Sequence, residues 1–78
     1  MGVIKIGTKT CGPCMAASTK MHEMNIEYTD LDAYDDAVIE QYNVKNIPTI
    51  IKTDDDGNEI FRLSGGECLR RDKLEELK

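Results

Sequence analysis

Residues 3–6 form a short β-branched run that passes through a polar turn straight into a helical period. Cys14, Ala17, Met21 and Met24 fall at intervals of 3, 4 and 3, one face of a 3.6-residue repeat. Pro13, a residue favoured in the first turn of a helix, marks where that helix starts. A strand that hands over to a helix must return by a crossover, so the next strand lies parallel to the first. That strand is expected over 26–31, where apolar and polar residues alternate. Asp35-Asp36 then opens a second helix in which Tyr34, Val38 and Tyr42 share a face. Beyond Pro48, a β-branched run over 49–52 and a returning run over 59–63 flank Asp56-Gly57, a strong hairpin signal, so this pair is antiparallel. Gly65-Gly66 breaks the pattern, and the remainder reads as one short helix with Leu69, Leu74 and Leu77 on one arc and Cys68 opposite. The summed order β-α-β-α-β-β-α implies an α/β fold, a four-stranded mixed sheet covered by helices on both faces, in a single domain over 1–78.

Composition narrows the class. With 78 residues, 40% hydrophobic and 32% charged, the chain has room for one thin core. It has no tract of the kind that keeps a chain disordered. The net charge of −5 is uneven: residues 25–61 sum to −8 while residues 1–24 sum to +2. No basic stripe meets phosphates, which excludes a nucleic-acid partner. No apolar run approaches membrane length and no leader pattern opens the chain, so a cytoplasmic location and no membrane partner are expected. No exposed heptad or long apolar stretch argues against a monomer.

Three cysteines are too few for a secreted disulfide scaffold, and in a reducing compartment a Cys-x-x-Cys pair is catalytic or metal-binding more often than structural. Cys11 precedes the helix, where unpaired N–H groups and the helix dipole favour a thiolate, the nucleophilic form. Cys14 tops the buried stripe three residues further on. A mixed disulfide formed on Cys11 is then resolved by Cys14 at high effective concentration.

The motif Cys11-Gly12-Pro13-Cys14 resembles the active site of thioredoxins, and residues 42–51, with Pro48 near their end, resemble the thioredoxin segment that carries a cis-proline. The chain length, Gly7 four residues before Cys11, and Gly65-Gly66 before the last helix are similar to glutaredoxins. The resemblance spans essentially the whole chain and implies the thioredoxin fold, with a redox-active disulfide in place of any cofactor. It also implies that the Ile47-Pro48 peptide is cis and that the Ile47 backbone pairs with an extended segment of a protein disulfide substrate. Lys9 stands near the place where glutaredoxins present a cation to a glutathione carboxylate.

Two residues depart from the thioredoxin pattern. Lys5 stands six residues before Cys11, where thioredoxins have a buried acid that helps move the proton of the second cysteine. Thr10 replaces the tryptophan before the first cysteine. A lysine on a strand covered on both faces is the anomaly of the core. If its ammonium reaches the underside of the motif, it stabilises a thiolate rather than accepting a proton, and the expectation is that Lys5→Met raises the Cys11 pKa.

Other readings of the same residues are thinner. A zinc site needs four ligands, and beyond the pair the chain offers only Cys68 and His22, so no metal is expected. An iron–sulfur cluster shared by two copies through Cys11 is the other metal alternative. Met15, Met21 and Met24 are expected to fill the core, His22 to lie at the surface, and Cys68 to be packed and inert. Asp54-Asp55-Asp56 is a solvated turn rather than a calcium loop. The expected function is thiol-disulfide exchange on protein disulfides, with a thioredoxin-reductase-type flavoenzyme as electron donor. A glutathione-dependent glutaredoxin is the alternative, disfavoured because Glu67 sets a carboxylate at the helix start where glutathione's own would bind.

Overall fold

A computed structural model describes residues 2–78. Strand β1 (Gly2–Gly7) leads into helix α1 (Gly12–Glu23), then strand β2 (Thr29–Asp32), helix α2 (Asp36–Tyr42), strands β3 (Thr49–Thr53) and β4 (Glu59–Ser64), a 3-10 turn (Gly65–Leu69) and helix α3 (Arg71–Glu75). The sheet order is β2-β1-β3-β4. β1 runs parallel to β2, as the crossover implies, and β3 antiparallel to β4, as the hairpin signal implies; the structure joins the two pairs by an antiparallel β1–β3 ladder.

Register sorts the side chains. Lys5 lies opposite Ile50, and Ile50 opposite Leu63, so the three share one face of the sheet. On that face Ile50 and Leu63 pack with Ala17, Met21 and Met24 of α1 and its C-terminus, and with Cys68, Leu74 and Leu77 from the chain end. Ile6, Thr49, Ile51 and Thr53 are buried on the opposite face. α2 covers that side with half-buried Val38, Ile39 and Tyr42, and none of its residues is fully buried.

Local chemistry sets the ends of the elements. Asp35 caps α2, its Oδ1 accepting from the Ala37 amide at 3.0 Å. Asn43, at φ 51, closes the same helix in the left-handed conformation that asparagine tolerates. Asp54 Oδ1 accepts from the Asp56 and Asn58 amides at 3.0 and 2.9 Å, and Gly57 takes φ 84, so the acidic segment is a self-bonded hairpin turn.

Four expectations are corrected. β2 begins only at Thr29; residues 26–28 serve as a connection, with Ile26 buried in the core and its amide bonded to Met21. Tyr34 precedes α2 rather than joining its face and is 76% exposed, because the Asp35 cap starts the helix after it. Met15 is 58% exposed, one residue past Cys14 on a helix whose buried side is Cys14, Ala17 and Met21. The chain end is not one helix. Arg70, extended at φ −95 and ψ 121, separates the 3-10 turn from α3, and that change of pitch brings Cys68 into the same core as Leu74 and Leu77.

Candidate active site

Pairing places three loops at one end of the sheet. Ile6 pairs with Thr49 and Thr49 with Ser64, so Gly7, Pro48 and Gly65 follow in adjacent positions. The Gly65 amide donates to the Pro48 carbonyl at 2.9 Å and Gly65 takes φ 58, a conformation open to glycine, so the first residue of Gly65-Gly66 is a structural link to the proline loop. Ile47-Pro48 is cis. Pro48 is buried and Ile47 stays 36% exposed beside it.

Cys11 and Cys14 form a disulfide at the start of α1. Cys11 is the N-cap residue, and its Sγ accepts from the Cys14 amide at 3.2 Å, so one of the helix's unpaired N–H groups points at the Cys11 sulfur. Cys11 is half-buried, Gly12 and Pro13 are exposed, and Cys14 has no exposed surface. Gly7 explains how Cys14 packs so closely against the sheet: a Cβ on Gly7 would stand 2.7 Å from Cys14 Sγ and 3.0 Å from its Cβ. Any side chain at position 7 displaces Cys14.

Lys5 is buried, and its Nζ lies 3.4 Å from Asp30 Oδ1 and 5.9 Å from the centre of the Tyr28 ring. The same ammonium would stand 3.7 Å from that Gly7 Cβ. It therefore reaches the underside of the motif, as the buried position in the sequence implies. Asp30 is two-thirds exposed. It opens onto a groove of about 670 Å³ beside α1 that Thr8, Lys9, Thr10, Met15 and Tyr34 also line. The groove was not legible from motifs, because its walls come from β1, α1 and β2 together.

Cys68 is apart from the disulfide. It is wholly buried, and its thiol donates to the carbonyl oxygens of Pro48 at 3.3 Å and Leu63 at 3.4 Å. Burial pushes it up from the ordinary 9.0 to about 12, with Glu67 adding to the rise and a backbone hydrogen bond at Ile50 opposing it. Cys68 is packed, as expected. His22 is exposed, as expected. Among the described residues, no group of three His, Cys, Asp or Glu side chains is placed to hold a metal ion, and no helix is long and apolar enough to cross a membrane.

No family model matches the chain. It is 28% identical over 75 residues to the SPbeta prophage-derived thioredoxin-like protein YosR of Bacillus subtilis, covering 95% of this chain and 94% of that one. Among solved structures, thioredoxin f of spinach chloroplast (short form) superposes with a TM-score of 0.76 at 22% identity, covering 95% of this chain and 69% of that one. Thioredoxin of Trypanosoma brucei brucei gives 0.77 at 20% identity, covering 97% and 73%. The chain thus has the thioredoxin fold, a thioredoxin-like homologue and a Cys11–Cys14 disulfide in a Cys-Gly-Pro-Cys motif.

Proposed function

We propose that the chain reduces protein disulfides by thiol-disulfide exchange. The observation that carries this reading is the asymmetry of the pair: Cys11 caps α1 with accessible surface, while Cys14 is buried three residues on and bonded to it. In the reduced form the Cys11 thiolate attacks a substrate disulfide, forming a mixed disulfide and releasing one substrate thiolate. Cys14 then loses its proton and attacks Cys11 Sγ, closing the intramolecular disulfide and releasing the second substrate thiolate. The substrate takes up two electrons and two protons, and the dithiol gives up the same. Ile47, exposed beside buried Pro48, offers backbone to an extended substrate segment.

The electron donor in this reading is a thioredoxin-reductase-type flavoenzyme rather than glutathione. Glu67 supports it: its Oε1 accepts from the Ser64 amide at 3.3 Å, so a carboxylate already occupies the start of the 3-10 turn beside Gly65-Gly66. A second carboxylate is repelled there. The test uses two coupled assays on the oxidised chain. One contains NADPH and thioredoxin reductase, the other NADPH, glutathione and glutathione reductase. Faster turnover with the reductase is expected; faster turnover with glutathione assigns the chain to the glutaredoxin reaction.

A further inference from the structure

The reading above leaves one step without a proton or charge partner, the ionisation of Cys14. A thiolate with no exposed surface is costly in a dry interior unless an opposite charge or donor faces it. Cys14 has its amide turned to Cys11 Sγ, and its own sulfur lies against the backbone of Gly7. The ammonium of Lys5 approaches the same place: the point where a Gly7 Cβ would stand is 2.7 Å from Cys14 Sγ and 3.7 Å from Lys5 Nζ. Lys5 and Gly7, two apart on β1, face α1 together.

We infer that Lys5, held by Asp30, is the counter-charge that lets Cys14 ionise for the resolving step. It is a positioning residue that acts through the Cys14 sulfur, and it carries no proton away. The proton of Cys14 passes to solvent, while Lys5 and Asp30 both line the groove beside α1. Asp30 anchors the ammonium from β2 at 3.4 Å and, being exposed, keeps its own charge largely screened by solvent. The sulfur that shares the position above Gly7 with Lys5 is that of Cys14, whereas the sequence alone singles out Cys11. The other charged and titratable groups near the ammonium include Lys9, Asp32 and Tyr34 in the groove wall, Tyr28 at 5.9 Å, and Cys68, which stays protonated throughout the neutral range. An opposite charge within about 4–6 Å lowers the pKa of an acidic group by about one unit or more.

The inference rests on Cys14 being the resolving thiol, and one experiment separates the two. Reduced protein is mixed rapidly with 5,5′-dithiobis(2-nitrobenzoate). The first thionitrobenzoate is released by Cys11 at a rate that scales with reagent concentration. The second is released by Cys14 at a rate independent of it. Lys5→Met and Lys5→Gln are expected to slow the second phase about tenfold or more at pH 7 and to move its pH profile upward by about one unit or more. Lys5→Arg, which keeps the charge, is expected to retain the wild-type profile. Thiolate absorbance of Cys14 in a Cys11→Ser background, with and without Lys5→Met, reads the same shift without turnover. A second phase absent from the wild type defeats the reading of Cys14 itself. A wild-type second phase whose rate and pH profile are unchanged in Lys5→Met, or lost equally in Lys5→Arg, overturns the role of Lys5 alone.

Discussion

The thiol of Cys68 donates to the carbonyl oxygen of Pro48 across 3.3 Å, from the chain end to the loop beside the disulfide. The Gly65 amide donates to the same oxygen, so Pro48 is clamped from two positions of one 3-10 turn. Cys68→Ser keeps a donor in nearly the same volume and is expected to leave stability close to wild type. Cys68→Ala loses the bond and some packing, and is expected to cost about 1–2 kcal/mol in urea unfolding of the oxidised protein.

The same thiol gives a pH dependence of definite sign. Its folded pKa is raised from 9.0 to about 12, so the folded state holds a proton that the unfolded state gives up first. The contribution is fully present below pH 9 and is lost as pH rises from there toward 12. The oxidised wild type is therefore expected to lose more stability between pH 8 and pH 10 than Cys68→Ala does. Parallel curves for the two proteins contradict the assignment.

Gly7 and Gly66 make opposite predictions for one added methyl. At Gly7 it meets Cys14 Sγ at 2.7 Å, whereas at Gly66 it meets nothing within 4 Å. Gly7→Ala is expected to cost about 1–3 kcal/mol and to slow disulfide exchange, because the sulfur must move. Gly66→Ala is expected to stay within about 0.5 kcal/mol of wild type. Thermal unfolding and exchange kinetics on both variants check the pair.

Glu59 and Arg62 form a two-pronged ion pair on β4, with Nη2–Oε1 at 2.6 Å and Nε–Oε2 at 2.8 Å. The Arg62 hydrogen bond holds the Glu59 carboxyl below its ordinary 4.5. Both groups are partly exposed, so solvent screening keeps the contribution small. Glu59→Gln is expected to cost less than about 1 kcal/mol at pH 7. The depressed folded pKa means this difference is present above pH 4.5 and fades as pH falls through the folded value.

The fold was legible because its signals are local and agree. The period of α1, the Asp56-Gly57 turn and the β-branched run after Pro48 each point to one element, and together they allow few topologies. The errors fall where tertiary packing outweighs local pattern. Ile26 alternates like a strand residue but is buried as part of a connection, and Cys68 looked outward only on the assumption of one unbroken helix. In the site, Cys11, Cys14 and Pro48 were legible from motif and position. The partner of Lys5 was not, because Asp30 lies 25 residues away on a neighbouring strand and only the parallel register Lys5↔Asp30 brings them together.

The roles proposed for Cys11 and Cys14 rest on their difference in burial. Iodoacetamide at neutral pH on the reduced protein, followed by mass mapping, is expected to label Cys11 first and Cys14 far more slowly. Cys68 should react only after unfolding, since its thiol is buried and pushed up to about 12. Preferential labelling of Cys14 reverses the assignment.

The most direct measurement is to follow the reduction of a protein disulfide, with insulin as substrate and dithiothreitol as the regenerating reductant, for wild type, Cys11→Ser and Cys14→Ser. The account predicts catalytic reduction by the wild type, none above background by Cys11→Ser, and with Cys14→Ser a mixed disulfide of chain and substrate that mass spectrometry locates on Cys11. A wild type that does not exceed the dithiothreitol background, or a Cys11→Ser protein that matches the wild type, contradicts it.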